Sequence, residues 1–210
     1  MLPTDHPAIV KSYAAFTNQS LMLAEVTKAA ELLRCGTPLV ELRRLVLDDN
    51  LFQLRTEHSR KTFFRAARDR LAGVHEPLLD LLAKGDYDVR RLTCLYLLLL
   101  RHRLLREFIA EVLWRELSRL QHRLEPLEIE LFFADKRQQV PEIGRWSEAT
   151  VRKSHTNILR AGVESGLLAG GDGAGHNIQP QLVPEALRSE LKSACRTAFL
   201  KLLLDQQELP

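Results

Sequence analysis

The segment from Trp146 to Leu168 limits the folds open to this chain more than any other, because it couples a strongly signalled helix to a glycine-rich loop and a short extended run. Ser147 is placed to accept a hydrogen bond from an orphan amide of the first turn, and Glu148 favours the positive end of the helix dipole. Val151, Ile158, Leu159 and Val163 fall near one helical face, whereas Arg152, Lys153, Asn157 and Arg160 spread over faces that can stay wet. Gly166 is placed as a cap, Gly170 to Asn177 as a flexible tip, and Ile178 to Val183 as an extended return. Helix, short strand, tip and short strand predict a winged helix-turn-helix, with Val140 to Trp146 as the supporting helix and Pro141 in its first turn.

Cations on such a recognition helix neutralise phosphates, and short polar side chains near its N-terminus reach base edges in the major groove. The candidate contacts are Ser147, Thr150, Arg152, Lys153, Ser154 and Asn157. The competing reading is an amphipathic helix and hairpin used for packing or protein docking, since a fold does not by itself assign a function.

A second segment repeats the pattern. Thr56 to Gly73 opens with a hydroxyl cap and a glutamate, then sets a basic pair before the apolar positions, and Pro38 to Asp49 forms its preceding helix. Arg55, Arg60, Lys61, Arg65, Arg68 and Arg70 stand there against only Glu57 and Asp69. Mixed pairs are the usual dress of a solvated helix face, so this one-sided bias marks a candidate phosphate contact. The candidate residues are Arg55, Ser59, Arg60, Lys61, Arg65 and Arg68.

With 210 residues and 45% hydrophobic content, the chain can bury a core as one domain or two small ones. Its net charge is only +3, so a nucleic-acid site has to be a local patch. Cys35, Cys94 and Cys195 are widely spaced and odd in number, which suits reduced thiols and gives no metal-ligand spacing. The N-terminus carries no cationic region followed by an apolar run, so a cytoplasmic location is expected. The most apolar run, Leu92 to Leu100, ends against Arg101-His102-Arg103 and falls far short of the roughly 20 residues needed to span a bilayer.

Elsewhere the helical period dominates. Helices are predicted over His6 to Ala15, Ser20 to Arg34, Pro77 to Lys84, Asp86 to His102, Leu105 to Arg123 and Glu185 to Gln207. Pro126 and the run Leu127 to Phe133 mark a change of domain, with Ile129 to Phe133 a candidate extended stretch and Ala134 to Gln139 a polar connector. The expectation is a mostly α protein of two helical domains with helix-turn-helix-like elements. Residues 1–125 carry the basic helix, and residues 126–210 form a winged helix with a short β-hairpin.

The sequence holds no phosphate-cradling Gly-Lys-Ser/Thr loop, no His-Glu-x-x-His, no paired-cysteine ligand set and no Gly-x-Ser-x-Gly elbow. The chain therefore reads as non-enzymatic, with no metal, cofactor or small-molecule substrate. Asp48-Asp49 and Asp86-x-Asp88 are carboxylate pairs able to hold a metal, but both stand where helix-terminal caps are expected.

The order of these motifs also carries a family resemblance. Tyr13 to Glu25, then Asp49 to Phe52 with Thr56 to Leu71, then Leu99 to Arg101 with Arg106 to Val112, then Ser147 to Leu168 resemble the BrxA family of bacteriophage-exclusion (BREX) defence systems over most of the chain. The resemblance implies a small helical accessory protein that binds double-stranded DNA and works beside other BREX proteins. Relatives have been called inner-membrane proteins and compared with the NusB antitermination fold; hydropathy rejects the first, and the second leaves RNA binding as an alternative. A protein-docking scaffold in the defence complex is the other alternative.

Overall fold

The most apolar run of the sequence becomes the axis of the molecule. In the computed structural model, which describes residues 8–17, 20–170 and 175–209, helix α5 (Tyr87–Arg101) buries every side chain from Leu92 to Leu100. Asp86 caps it by accepting from the Val89 amide at 2.9 Å, as the capping reading of that carboxylate requires. A fully buried leucine contributes about 1.5–3 kcal/mol over its exposed state, so a run of this kind draws neighbours onto every face. Helices α1 (Leu23–Arg34), α3 (Glu57–Leu71) and α4 (Glu76–Lys84) pack on it, and α2 (Leu39–Leu47) packs on α3. Among the described residues no helix is long and apolar enough to cross a membrane.

The chain then continues as α6 (Arg103–Phe108), a π-helical turn over Ile109–Leu113 and α7 (Trp114–Ser118). The π turn places Ile109, Val112 and Leu113 inward together. Strand β1 (Arg123–Leu124), α8 (Pro126–Gln139), the single turn α9 (Pro141–Gly144), α10 (Glu148–Glu164), β2 (Leu168–Ala169) and β3 (His176–Ile178) follow. The strands form one antiparallel sheet in the order β1-β3-β2, with Leu124 opposite His176 and Leu168 opposite Ile178. The C-terminal part holds α11 (Glu185–Ser193), α12 (Ala198–Leu202) and a 3-10 turn over Gln206–Glu208. One cluster of buried apolar side chains runs from Phe16 to Leu204 and draws on residues either side of Glu125.

Three local expectations are corrected. Residues 8–15 of the predicted N-terminal helix are not helical, and His6 and Pro7 lie outside the described residues. This segment is irregular because its backbone bonds elsewhere: the Val10 amide donates to the Leu100 carbonyl, Arg106 donates to the Val10 carbonyl and Arg103 to that of Lys11. The stretch Ile129 to Phe133 is helical, as is the connector after it, because Pro126 occupies the first turn and Glu125 and Glu128 form a reciprocal capping box. Ile129, Phe132, Phe133 and Lys136 then fill its buried face at helical spacing. The predicted final helix breaks at Cys195, whose φ of 55° turns the chain so that Phe199 meets the Tyr96 ring edge-on at 5.0 Å.

Candidate nucleic-acid interface

Helix α10 starts as its sequence demands. Ser147 Oγ accepts from the Thr150 amide at 3.2 Å and lies 3.0 Å from the Thr150 hydroxyl, while Glu148 pairs with Arg137 at 2.6 Å. At the other end Gly166 takes φ 76°, the left-handed cap that glycine favours. A side chain there would also collide with Arg91, which donates to the Ser165 carbonyl and to Gln181 and so ties the end of α10 to α5.

The outward face of this helix carries Arg152, Lys153, Thr156 and Arg160, all exposed. Arg152 and Lys153 form no ion pair among the described residues, and Arg160 lies 3.6 Å from Glu164. Ser154 and Asn157 require a correction. Both are buried: Ser154 Oγ accepts from the Phe16 amide at 3.2 Å, and Asn157 Nδ2 donates to the Phe16 carbonyl at 2.9 Å. The N-terminal segment occupies their hydrogen bonds, so neither is available to a base edge. Val163, assigned to the packing face from its period, is instead 43% exposed. Thr156 and Arg160 are surface positions that the candidate set lacked; polar residues three apart on the inner arc were the signal that something other than an apolar core packs there.

The basic helix α3 follows the same local logic. Thr56 Oγ1 accepts from the Ser59 amide at 3.1 Å and donates to the Ser59 hydroxyl oxygen at 2.9 Å, which commits Ser59 to the cap. The loop from α2 turns through Asn50 and Gln53, each near φ 53°, and Asn50 Oδ1 accepts from the Leu54 amide. Arg60 donates to the Leu47 carbonyl at 2.6 Å and clamps α3 to α2. Lys61 pairs with Glu57 at 2.5 Å, holding that carboxyl below its usual range, and Arg68 pairs with Asp69 at 2.8 Å. Arg55 and Arg65 are exposed with no ion pair among the described residues. Arg70 turns inward, 2% exposed, and donates to the carbonyls of Ser20 and Leu21.

The two helices border a common cleft of about 490 Å³, to which α3 gives Phe63 and α10 gives Asn157, Arg160 and Glu164. Its floor is the Ser20 to Glu25 segment. Exposed cations with no ion pair among the described residues therefore stand on both helices, Arg65 on α3 and Arg152 and Lys153 on α10, outside the lining of the cleft itself. No group of histidine, cysteine and carboxylate side chains able to hold a metal occurs among the described residues.

A family model described as BrxA matches residues 11–194. The chain belongs to the BrxA family. It is 26% identical over 151 residues to a Bacillus cereus (strain H3081.97) protein named BREX protein BrxA, covering 72% of this chain and 76% of that protein. It also shares its fold with an uncharacterized protein from Magnetospirillum magneticum known from a crystal structure, with a TM-score of 0.77 at 19% identity over 91% of this chain and 97% of the other. Helices α1 to α11 and the three strands seen among the described residues fall within the BrxA match, so both basic helices belong to the shared region.

Proposed function

We propose that this chain is a non-enzymatic accessory protein of a BREX bacteriophage-defence system that binds double-stranded DNA through α3 and α10 with little sequence reading. The observation that carries the reading is that two helices which both contribute residues to one cleft also bear exposed cations with no ion pair among the described residues: Arg65 on α3, with Arg55 just before it, and Arg152 and Lys153 on α10. Phosphate neutralisation by such groups needs a local patch and not a high net charge. Family membership and the relative's name supply the defence setting.

The winged-helix reading of the C-terminal part is supported by connectivity. Strand, helix, single helical turn, helix, strand, strand, with the first strand pairing the last in the order β1-β3-β2, is the arrangement that presents a recognition helix beside a wing. The outer strand is Arg123–Leu124, and α8 takes the supporting role expected of Val140 to Trp146, where only the turn α9 forms. The tip residues 171–174 lie outside the described residues. On this reading the surface set is Ser147, Thr150, Arg152, Lys153, Thr156 and Arg160.

Docking to other BREX proteins is a compatible role, favoured by Leu127 and Leu131, which are 60% and 53% exposed one turn apart on α8. Competition for the protein between labelled duplex DNA, single-stranded DNA and structured RNA tests the main reading. Duplex DNA is expected to displace the label best, and preferential displacement by RNA would overturn it.

A further inference from the structure

The cleft between α3 and α10 has a construction that phosphate contact alone does not explain. Its floor is fixed from below. Arg70 holds the carbonyls of Ser20 and Leu21, the Cys94 thiol donates to the Leu21 carbonyl at 3.2 Å, and Glu164 accepts from the Leu21 amide at 2.8 Å. Met22 is thereby kept at φ 55°, and the concave surface is formed before anything enters it. At about 490 Å³ it falls within the range of roughly 300–1,000 Å³ typical of small-ligand sites.

Its walls combine aromatic surface with the polar side chains of Ser20, Glu25, Asn157, Arg160 and Glu164. Phe63 lines it from α3, and Tyr87 at the start of α5 lines it while remaining 65% exposed. The Arg91 guanidinium lies 5.9 Å from the Tyr87 ring centroid. An aromatic side chain left out of the core at the edge of a cleft is a stacking platform, and every nucleobase has a π face to lay on it. Arg160 offers donors and Glu164 a carboxylate, the donor and acceptor that a base edge with ring acceptors and an exocyclic amine would use. A base within the duplex cannot present its face, so the occupant has to be unpaired or drawn out of the stack.

We propose that this cleft takes up a single unpaired nucleobase of the bound DNA, stacked on Tyr87 and held at its edge by Arg160 and Glu164. The proposal rests on α3 and α10 lying on DNA as described above.

The test compares a fully paired labelled duplex with the same duplex carrying one bulged adenine, by fluorescence anisotropy at fixed salt. The bulged duplex is expected to bind about tenfold tighter, within what one base-aromatic stack contributes. Tyr87→Ala should bring the ratio of the two affinities to about one, and Tyr87→Phe should keep it, since stacking needs the ring and not the hydroxyl. A bulge also makes a duplex easier to bend, and a preference that survives Tyr87→Ala would belong to bending and overturn the proposal. Equal binding of both duplexes by the unaltered protein would overturn it too while leaving duplex binding intact. Binding of neither duplex would remove the DNA-binding reading itself.

Discussion

Asn157 Nδ2 donates to the Phe16 carbonyl at 2.9 Å, and one turn earlier Ser154 Oγ accepts from the Phe16 amide at 3.2 Å, so a single buried residue of the N-terminal segment is gripped by the inner face of α10. The Phe16 ring lies 4.6 Å from that of His102 at the end of α5. One short segment therefore fastens the helix proposed to contact DNA to the central axis. Asn157→Ala leaves a buried backbone carbonyl unsatisfied and is expected to lower stability by about 1–3 kcal/mol. Denaturant midpoints measure that loss. Affinity for a fully paired duplex per folded molecule should stay unchanged, because the side chain is buried and not among the exposed cations of α3 and α10.

His102 links the same contact to pH. Burial, with Arg70, Arg106 and Arg101 adding repulsion, pushes its imidazole down to about 3. The folded value lies below that of the unfolded chain, so the unfolded state takes the proton first. Stability from the neutral ring is complete above about pH 6.5 and is lost as pH falls towards 3, by up to about 1.4 kcal/mol per pH unit. His102→Phe keeps an aromatic ring against Phe16 and is expected to flatten the unfolding midpoint between pH 6 and 4, an interval within that window. An unchanged slope would remove His102 as its source.

The helices that carry the proposed interface were legible from local chemistry, and the elements that position them were not. Thr56 and Ser147 announce the starts of α3 and α10 because a hydroxyl cap acts within three residues, and the structure shows both bonds. Gly166 and the buried run of α5 were readable for the same reason. Residues 8–15 have a helical pattern but are not helical, since Leu100, Arg103 and Arg106 supply partners only after folding. Ser154 and Asn157 look like surface residues in sequence because their partner, the Phe16 backbone, is more than a hundred positions away. The capping box at Glu125 and Glu128 was a local signal for α8, outweighed by the run of bulky apolar residues that follows it.

Lys136 is a further anchor. It is 6% exposed in its side chain and lies 2.6 Å from Glu107 and 2.7 Å from Glu111, tying α8 to α6 and the π turn. Burial opposes ionisation of Glu107, and hydrogen bonds from Lys136, Arg103 and Tyr13 override it, holding the carboxyl below its usual range. Lys136→Ala removes one of the three donors to Glu107, leaving Arg103 and Tyr13, and is expected to cost about 1.5–3 kcal/mol, reduced from the fully buried case because Glu111 is half exposed. Thermal unfolding of the variant beside Lys136→Arg, which keeps the charge, checks it; equal stability of Lys136→Ala and the parent protein would contradict the assignment.

The central claim is that exposed cations on α3 and α10 hold duplex DNA together. Its most direct test is the salt dependence of duplex affinity for the parent protein and for Arg65→Glu/Arg152→Glu/Lys153→Glu. The parent is expected to show a linear fall of log K with log salt, and the slope should become shallower by about 0.9 for each phosphate that the variant no longer neutralises. The triple variant should bind duplex far more weakly at low salt while keeping its circular dichroism spectrum and unfolding midpoint. A parent protein whose duplex affinity is indifferent to salt, or a folded triple variant that binds as the parent does, would contradict the account.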